Sequence, residues 1–170
     1  NSIEDIYKVL NAGADKIAIN SKALEDLDFI KQASSIFGSQ CIVCSIDVKK
    51  IDGIYKIFTK KQGVLEINPL ELAQKYQEYG AGEILLTSID KDGSTTGYDI
   101  ELIKLFKDKL EIPIILNGGM GKPKHAVEAI ENGADAVAAA YIFHFSQYTP
   151  NDIKMELQNN NISVRFSNII

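Results

Sequence analysis

Long hydrophobic runs are missing from this chain. No apolar stretch reaches the ~18 residues that a bilayer-crossing helix needs, so no segment reads as spanning a membrane. A basic cluster is missing too. With 18 Lys and Arg against 23 Asp and Glu, the net charge is −5, which argues against nucleic acid or an anionic membrane as the main partner. Cysteine is scarce: Cys41 and Cys44 are the only two. Both fall in an apolar run that reads as a strand, where residues three apart face opposite sides, so no metal or redox pair is expected. Two buried thiols fit a reducing cytoplasm, and no signal peptide is visible. No Cys/His or Ser/His/Asp set is argued by spacing. The two histidines, His125 and His144, read as packing or surface residues. No cofactor and no metal are implied.

What is present is a chain of 170 residues, 45% hydrophobic and 24% charged, enough for a single domain with a real core over residues 1–170. It begins at Asn1 within an apparent helix start, which reads as a fragment. Ser2 caps a first helix with the stripe Ile3, Ile6, Tyr7 and Leu10. Ser21 reads as the cap of one continuous helix to Ile36. Pro69, Asp99, Lys124 and Thr149-Pro150 open the later helices. Core strands are expected at 16–20, 41–47, 84–89, 112–116 and 136–141. Asp52-Gly53 before the alternating run Ile54–Phe58 marks a hairpin extending from the second strand.

Gly13-Ala14-Asp15, Gly80-Ala81-Gly82 and Gly133-Ala134-Asp135 form an internal repeat. Each stands between a helix and a strand, with Gly in the left-handed position that ends the helix. Consecutive units of this kind make an α/β fold with a parallel sheet. Five strands fit an open flavodoxin-like sheet, or a closed (βα)8 barrel lacking its first three strands. Periodicity does not choose between them.

The strand ends carry the candidate chemistry. The run Ile84–Leu86 ends in Thr87, Ser88, Asp90, Asp92 and Gly93 before Gly97-Tyr98-Asp99, the polar carboxyl edge of an α/β enzyme. Asp47 closes a hydrophobic strand and precedes Lys49 and Lys50. It serves either as a general acid or base or as the partner of those lysines. Gly118-Gly119 before a helix frees backbone N–H groups for a phosphate, or is a bare tight turn. Ala138-Ala139-Ala140 also permits close backbone approach, and together these ends form a candidate phosphate site. Asn20-Ser21, a polar strand end before a helix, is a second one, with simple capping as the other explanation.

Several separated motifs carry a family resemblance. The run from Gly80 through Asp99, with Gly13–Asn20, Phe37–Gln40, Ser45–Gly53 and Phe143–Phe145, resembles the cyclase subunit of imidazole glycerol phosphate synthase over nearly the whole chain. The resemblance implies a (βα)8 barrel of which this chain is about strands four to eight, without the family's other catalytic aspartate. It implies that Asp47 is a catalytic acid/base, and that Thr87, Asp92 and Gly93 line the substrate. Asn20 and Ser21 would hold one phosphate, and Gly118, Gly119, Ala139 and Ala140 the other. The substrate would be a bis-phosphate held at both ends over the carboxylates, so that anchoring supplies proximity. Ammonia would come from a glutamine amidotransferase partner docked at the opposite face, where Asp15, Lys16 and Glu83 match the entrance.

Three departures stand out: Asn117 where serine is common, Tyr141 where a small residue is usual, and Thr59–Asn68 in place of a longer glycine-bearing loop. They keep open a related ammonia-using enzyme of surface-polysaccharide or nonulosonate sugar biosynthesis. A non-catalytic barrel fragment serving as an assembly module is the remaining alternative.

Overall fold

Helix capping explains much of the local structure. The computed structural model describes residues 2–166. Helix α1 (Ile3–Asn11) opens with a capping box in which Ser2 and Asp5 exchange bonds. Asp99 accepts from Leu102 N–H at the start of α5 (Ile100–Phe106), and Thr149 with Asp152 opens α8 (Pro150–Asn159). Asn68 does the same for α4 (Pro69–Glu78). The glycine repeat has one geometry in all three copies. Gly13, Gly80 and Gly133 adopt φ of 102, 100 and 115°. The following alanine then reaches the carbonyl five residues back, Ala14 to Val9, Ala81 to Tyr76 and Ala134 to Ala129, the bond that closes such a helix end.

Five parallel strands form the wall: β1 (Ile17–Ile19), β2 (Ile42–Ile51), β5 (Glu83–Ser88), β6 (Ile114–Asn117) and β7 (Ala136–Ala138). They lie side by side in chain order, β1-β2-β5-β6-β7. A flavodoxin-like sheet would reverse its order at a switch point. A sequence that always steps the same way, with right-handed crossovers, instead puts the helices on one face. Burial agrees: Ile42, Cys44, Val48, Ile84, Leu86 and Leu116 are fully buried. Their alternates Ser45, Asp47, Leu85, Ile115 and Asn117 are only half-buried. The fold is α/β, part of a (βα)8 barrel with its concave face uncovered.

The expected hairpin is present and longer than anticipated. Asp52 and Gly53 turn with φ of 48 and 79°, the pair of positive angles that a two-residue hairpin requires. Strand β3 (Ile54–Thr59) then pairs back on Val48–Ile51. Residues expected as plain loop add β4 (Gly63–Leu65) against β3, so a three-stranded antiparallel meander replaces it.

Other expectations need correction. The helix read from Ser21 to Ile36 breaks into α2 (Ser21–Glu25) and α3 (Leu27–Phe37), because Asp26 turns extended and accepts from Phe29 N–H to start a new helix. Asn20, not Ser21, is the cap residue of α2, and its side chain makes no capping bond. The last strand stops at Ala138, not 141: Tyr141–Phe145 is a helical turn, α7, that buries Ile142. Strand β6 begins after Pro113 instead of at 112. Cys41 lies in a 3-10 turn ahead of β2. Cys44 is buried among apolar groups, which pushes its thiol up to about 12. Helix α6 (Lys124–Glu131) buries His125. No helix among the described residues is long and apolar enough to cross a membrane.

Candidate functional site

Register, more than sequence proximity, builds the carboxyl edge of the sheet. Asp47 of β2 stands opposite Thr87 of β5, Thr87 opposite Asn117 of β6, and Asn117 opposite Ala138 of β7. All four therefore share the concave face at one level, since alternate residues of a strand point the same way. Two hydrogen bonds stitch the row. Asn20 Nδ2 donates to Asp47 Oδ2 at 3.0 Å, and Asn117 Nδ2 donates to Thr87 Oγ1 at 3.2 Å. With its oxygen already accepting, the Thr87 hydroxyl keeps a proton to donate.

Neither lysine after Asp47 is its partner. Lys50 pairs with Glu101 at 2.7 Å, and the Lys49 ammonium lies 5.9 Å from the centre of the Phe58 ring. The Asp47 carboxylate instead lines a small pocket with Asn20, Phe58 and Thr59. A half-buried carboxylate held by an amide at a strand mouth is suited to proton transfer.

The loop from Ile89 to Tyr98 folds down over the next strand end. A Cβ added at Gly118 would meet Ser88 O at 2.8 Å, and one at Gly119 would meet Gly97 O at 2.2 Å. Gly97 N–H donates to Gly119 O at 2.8 Å. Tyr98 Oη–H donates to Ala138 O at 2.9 Å and lies 3.3 Å from Met120 Sδ. The Gly118-Gly119 turn and the Ala138–Ala140 end are thereby drawn together. The two glycines are required by this packing whether or not a phosphate sits there. Asp92 and Gly93 ride exposed on the same loop. Ser21 is exposed beside Asn20, while Ala139 is half-buried and Ala140 exposed.

His125 completes the turn. Its Nδ1 accepts from Gly121 N–H at 3.2 Å, so the ring is neutral with its proton on Nε2. Burial, with help from Lys122 and Lys124, holds its pKa below 6.5 against the opposing pull of Glu128. At the amino ends of the strands, Lys16 and Glu83 form an ion pair, with Asp15 exposed just before it. This pair lies at the opposite end of the sheet from Asp47.

A model of the family described as "Histidine biosynthesis protein" matches residues 1–149. The chain belongs to that family. Among curated relatives, a protein of Campylobacter jejuni provisionally named imidazole glycerol phosphate synthase subunit hisF2 is 58% identical over 164 residues, covering 96% of this chain and 66% of the relative. One of Vibrio vulnificus with the same provisional name is 44% identical over 168 residues, covering 98% of this chain and 62% of the relative. The chain thus spans a little under two thirds of the length of the curated relatives it matches.

Sequence reasoning brought Asp47, Thr87 and Asn20 to one edge but missed their wiring. It also missed Tyr55. This residue of β3 is buried, and its hydroxyl donates to Asp99 Oδ1 at 2.8 Å. Burial and the Asp99 carboxylate raise its pKa, so the hydroxyl remains a donor. The alternating run Ile54–Phe58 reads only as a hairpin strand, and nothing local names the Tyr55 partner 44 residues away.

Proposed function

We propose that this chain is the carboxyl-terminal part of an imidazole glycerol phosphate synthase cyclase subunit, a lyase working with a glutaminase partner. In the full-length protein it would use glutamine-derived ammonia to convert the phosphoribulosyl formimino aminoimidazole carboxamide ribotide. The products are imidazole glycerol phosphate and an aminoimidazole carboxamide ribotide. Family membership and the relatives' names support the enzyme class. The observation that carries the reading is the Asn20–Asp47 and Thr87–Asn117 row at one level of the strand mouth.

In this reading Asp47 moves a proton as general acid or base, with Asn20 orienting it. Thr87, Asp92 and Gly93 contact the substrate. Asn20-Ser21 takes one phosphate, and Gly118, Gly119, Ala139 and Ala140 the other. The row of Asp47 and Thr87 spans the gap between these ends, so a substrate tethered at both lies over the carboxylate. Lys16 and Glu83, with Asp15, face the ammonia-supplying partner. Full-length protein incubated with ammonium salt and the formimino substrate tests this directly: imidazole glycerol phosphate must form.

A second reading is a related ammonia-using enzyme acting on a different acceptor in surface-sugar biosynthesis. It is favoured by the β3–β4 meander and by Tyr141, whose ring sits 4.4 Å from that of Phe145 at the phosphate end. Failure of the formimino substrate with retained ammonia use would select it.

A further inference from the structure

A polar network on the helix side of the sheet has no part in the proposed chemistry. Asp99 is buried and takes three donors: Tyr55 Oη–H at 2.8 Å, Ser88 Oγ–H at 2.9 Å and Leu102 N–H at 3.0 Å. Beside it, Asp90 Oδ2 accepts from Lys50 N–H at 2.8 Å, and Lys50 Nζ reaches Glu101 Oε2 at 2.7 Å. The Lys50 ammonium also sits 5.0 Å from the centre of the Tyr55 ring. Lys50 and Tyr55 belong to the hairpin that grows from the Asp47 strand, while Asp90, Asp99 and Glu101 flank the β5–α5 loop. The two units are clasped.

We propose that Tyr55 is a positioning residue, holding the β5–α5 loop in register with the Asp47 strand so that Asp92 and the Gly118-Gly119 turn keep a fixed place relative to Asp47. This rests on the reading of Asp47 and that loop as the reacting site. The loop is anchored at several points. Ile89 N–H donates to Val48 O at 2.9 Å, and Gly97 N–H to Gly119 O at 2.8 Å. Tyr98 donates to Ala138 O. Between these anchors Thr95 is held at φ 60°, a conformation a non-glycine residue keeps only when its surroundings over-determine it. Asp99 follows Gly97-Tyr98 directly, so the clasp fixes the end of the loop that lies on the glycine turn. A helix cap alone needs only the Leu102 N–H bond. The Tyr55 hydroxyl adds a tie to another element, and a buried carboxylate losing such a donor is driven to seek another.

The test is Tyr55→Phe in the full-length protein, which keeps the ring and removes one hydroxyl. Ser88→Ala, which weakens the other Asp99 oxygen, is the second variant. Lys8→Gln is the control, since it breaks an exposed ion pair with Glu4 within α1, on neither of the clasped units. Amide exchange across Lys91–Gly97 should quicken about tenfold in the first two, the scale of one lost hydrogen bond. Their kcat should fall by a similar factor with little change in KM, and the control should alter neither. Unchanged loop exchange, or loosened exchange with wild-type turnover, overturns the proposal. Retained turnover in Asp47→Asn would instead defeat the reading of the site, leaving the exchange result to judge the clasp alone.

Discussion

Asn20 donates its side-chain amide to Asp47 at 3.0 Å, joining residues 27 apart in sequence. The contact exists because β1 and β2 pair in parallel with Ile19 opposite Cys44, which brings the end of the short strand beside the longer one. Asn20 is also the cap residue of α2, yet its side chain makes no capping bond there.

The first prediction follows from that pair. In full-length protein, Asp47→Asn should lower ammonia-dependent turnover by ~10²-fold or more with KM little changed. Removing the amide with Asn20→Ser should cost less, because the carboxylate remains and only its orientation is loosened. Steady-state kinetics with ammonium salt decides; wild-type turnover in Asp47→Asn would make it a structural residue.

A glycine pair makes a sharper structural test than substrate affinity does. The turn sequence alone leads one to expect Gly119→Val to harm phosphate binding much more than stability. The structure changes that expectation, because Gly119 has φ 106° and a Cβ there would meet Gly97 O at 2.2 Å. Gly93 has φ 71° with open space around it. Gly93→Ala should therefore cost about 1 kcal/mol of left-handed strain. Gly119→Ala should cost at least ~2 kcal/mol more, from overpacking against backbone. Urea unfolding of the two variants measures the gap, and equal losses would show that the turn relaxes.

Much of the fold was legible from local signals. The Gly-Ala repeat ends each helix by one hydrogen-bond pattern, and Asp52-Gly53 dictates its own turn. Strand order was not legible, since period and spacing are alike in open and closed parallel sheets. Strand β4 was hidden because Thr59–Asn68 alternates too little, and only the β3 edge supplies its partner. At the site, Asp47, Thr87 and Asn20 could be picked out as polar strand ends. The Asn20–Asp47 and Tyr55–Asp99 bonds could not, because each depends on register between distant segments.

The third prediction concerns acid. His125 accepts from Gly121 N–H and has a folded pKa below 6.5. The unfolded chain therefore takes the proton first as pH falls. The stability this group contributes is complete above pH 6.5 and is lost below it, down to the folded pKa. Once pH falls through the folded pKa, protonation turns the Nδ1 acceptor into a donor facing another donor, so the Gly118–Gly121 turn should loosen there. Urea midpoints measured downward from neutral pH should fall, and His125→Phe should flatten the upper part of that slope. An identical slope in the variant would remove His125 as the cause.

If the proposed ammonia entrance lies at the Lys16–Glu83 pair, supply can be separated from chemistry. It sits at the strand ends away from Asp47. Lys16→Glu puts two carboxylates together and should depress glutamine-driven turnover while leaving ammonium-driven turnover near wild type. Equal losses with both nitrogen sources would argue against an entrance role.

The last prediction concerns the 170 residues expressed alone. Among the described residues, both outer strands of the wall, β1 and β7, pair on one side only. A groove of about 480 Å³ runs by β1, lined by Ile17, Ala18 and Ile19, and one of about 610 Å³ runs by β7, lined by Val137 and Ala139. On the concave face Leu85 and Ile115 are only half-covered. Open edges beside apolar grooves invite pairing with a second chain, although strands of three residues blunt the tendency. The 170-residue polypeptide should therefore self-associate and show no cyclase activity. A form spanning the whole length of the relatives should be monodisperse without its partner, because its additional residues would cover both edges. Sedimentation velocity of the two forms is the measurement. A monodisperse, cooperatively melting monomer from the short form would mean that the open wall is self-sufficient, and that its edges are not barrel seams.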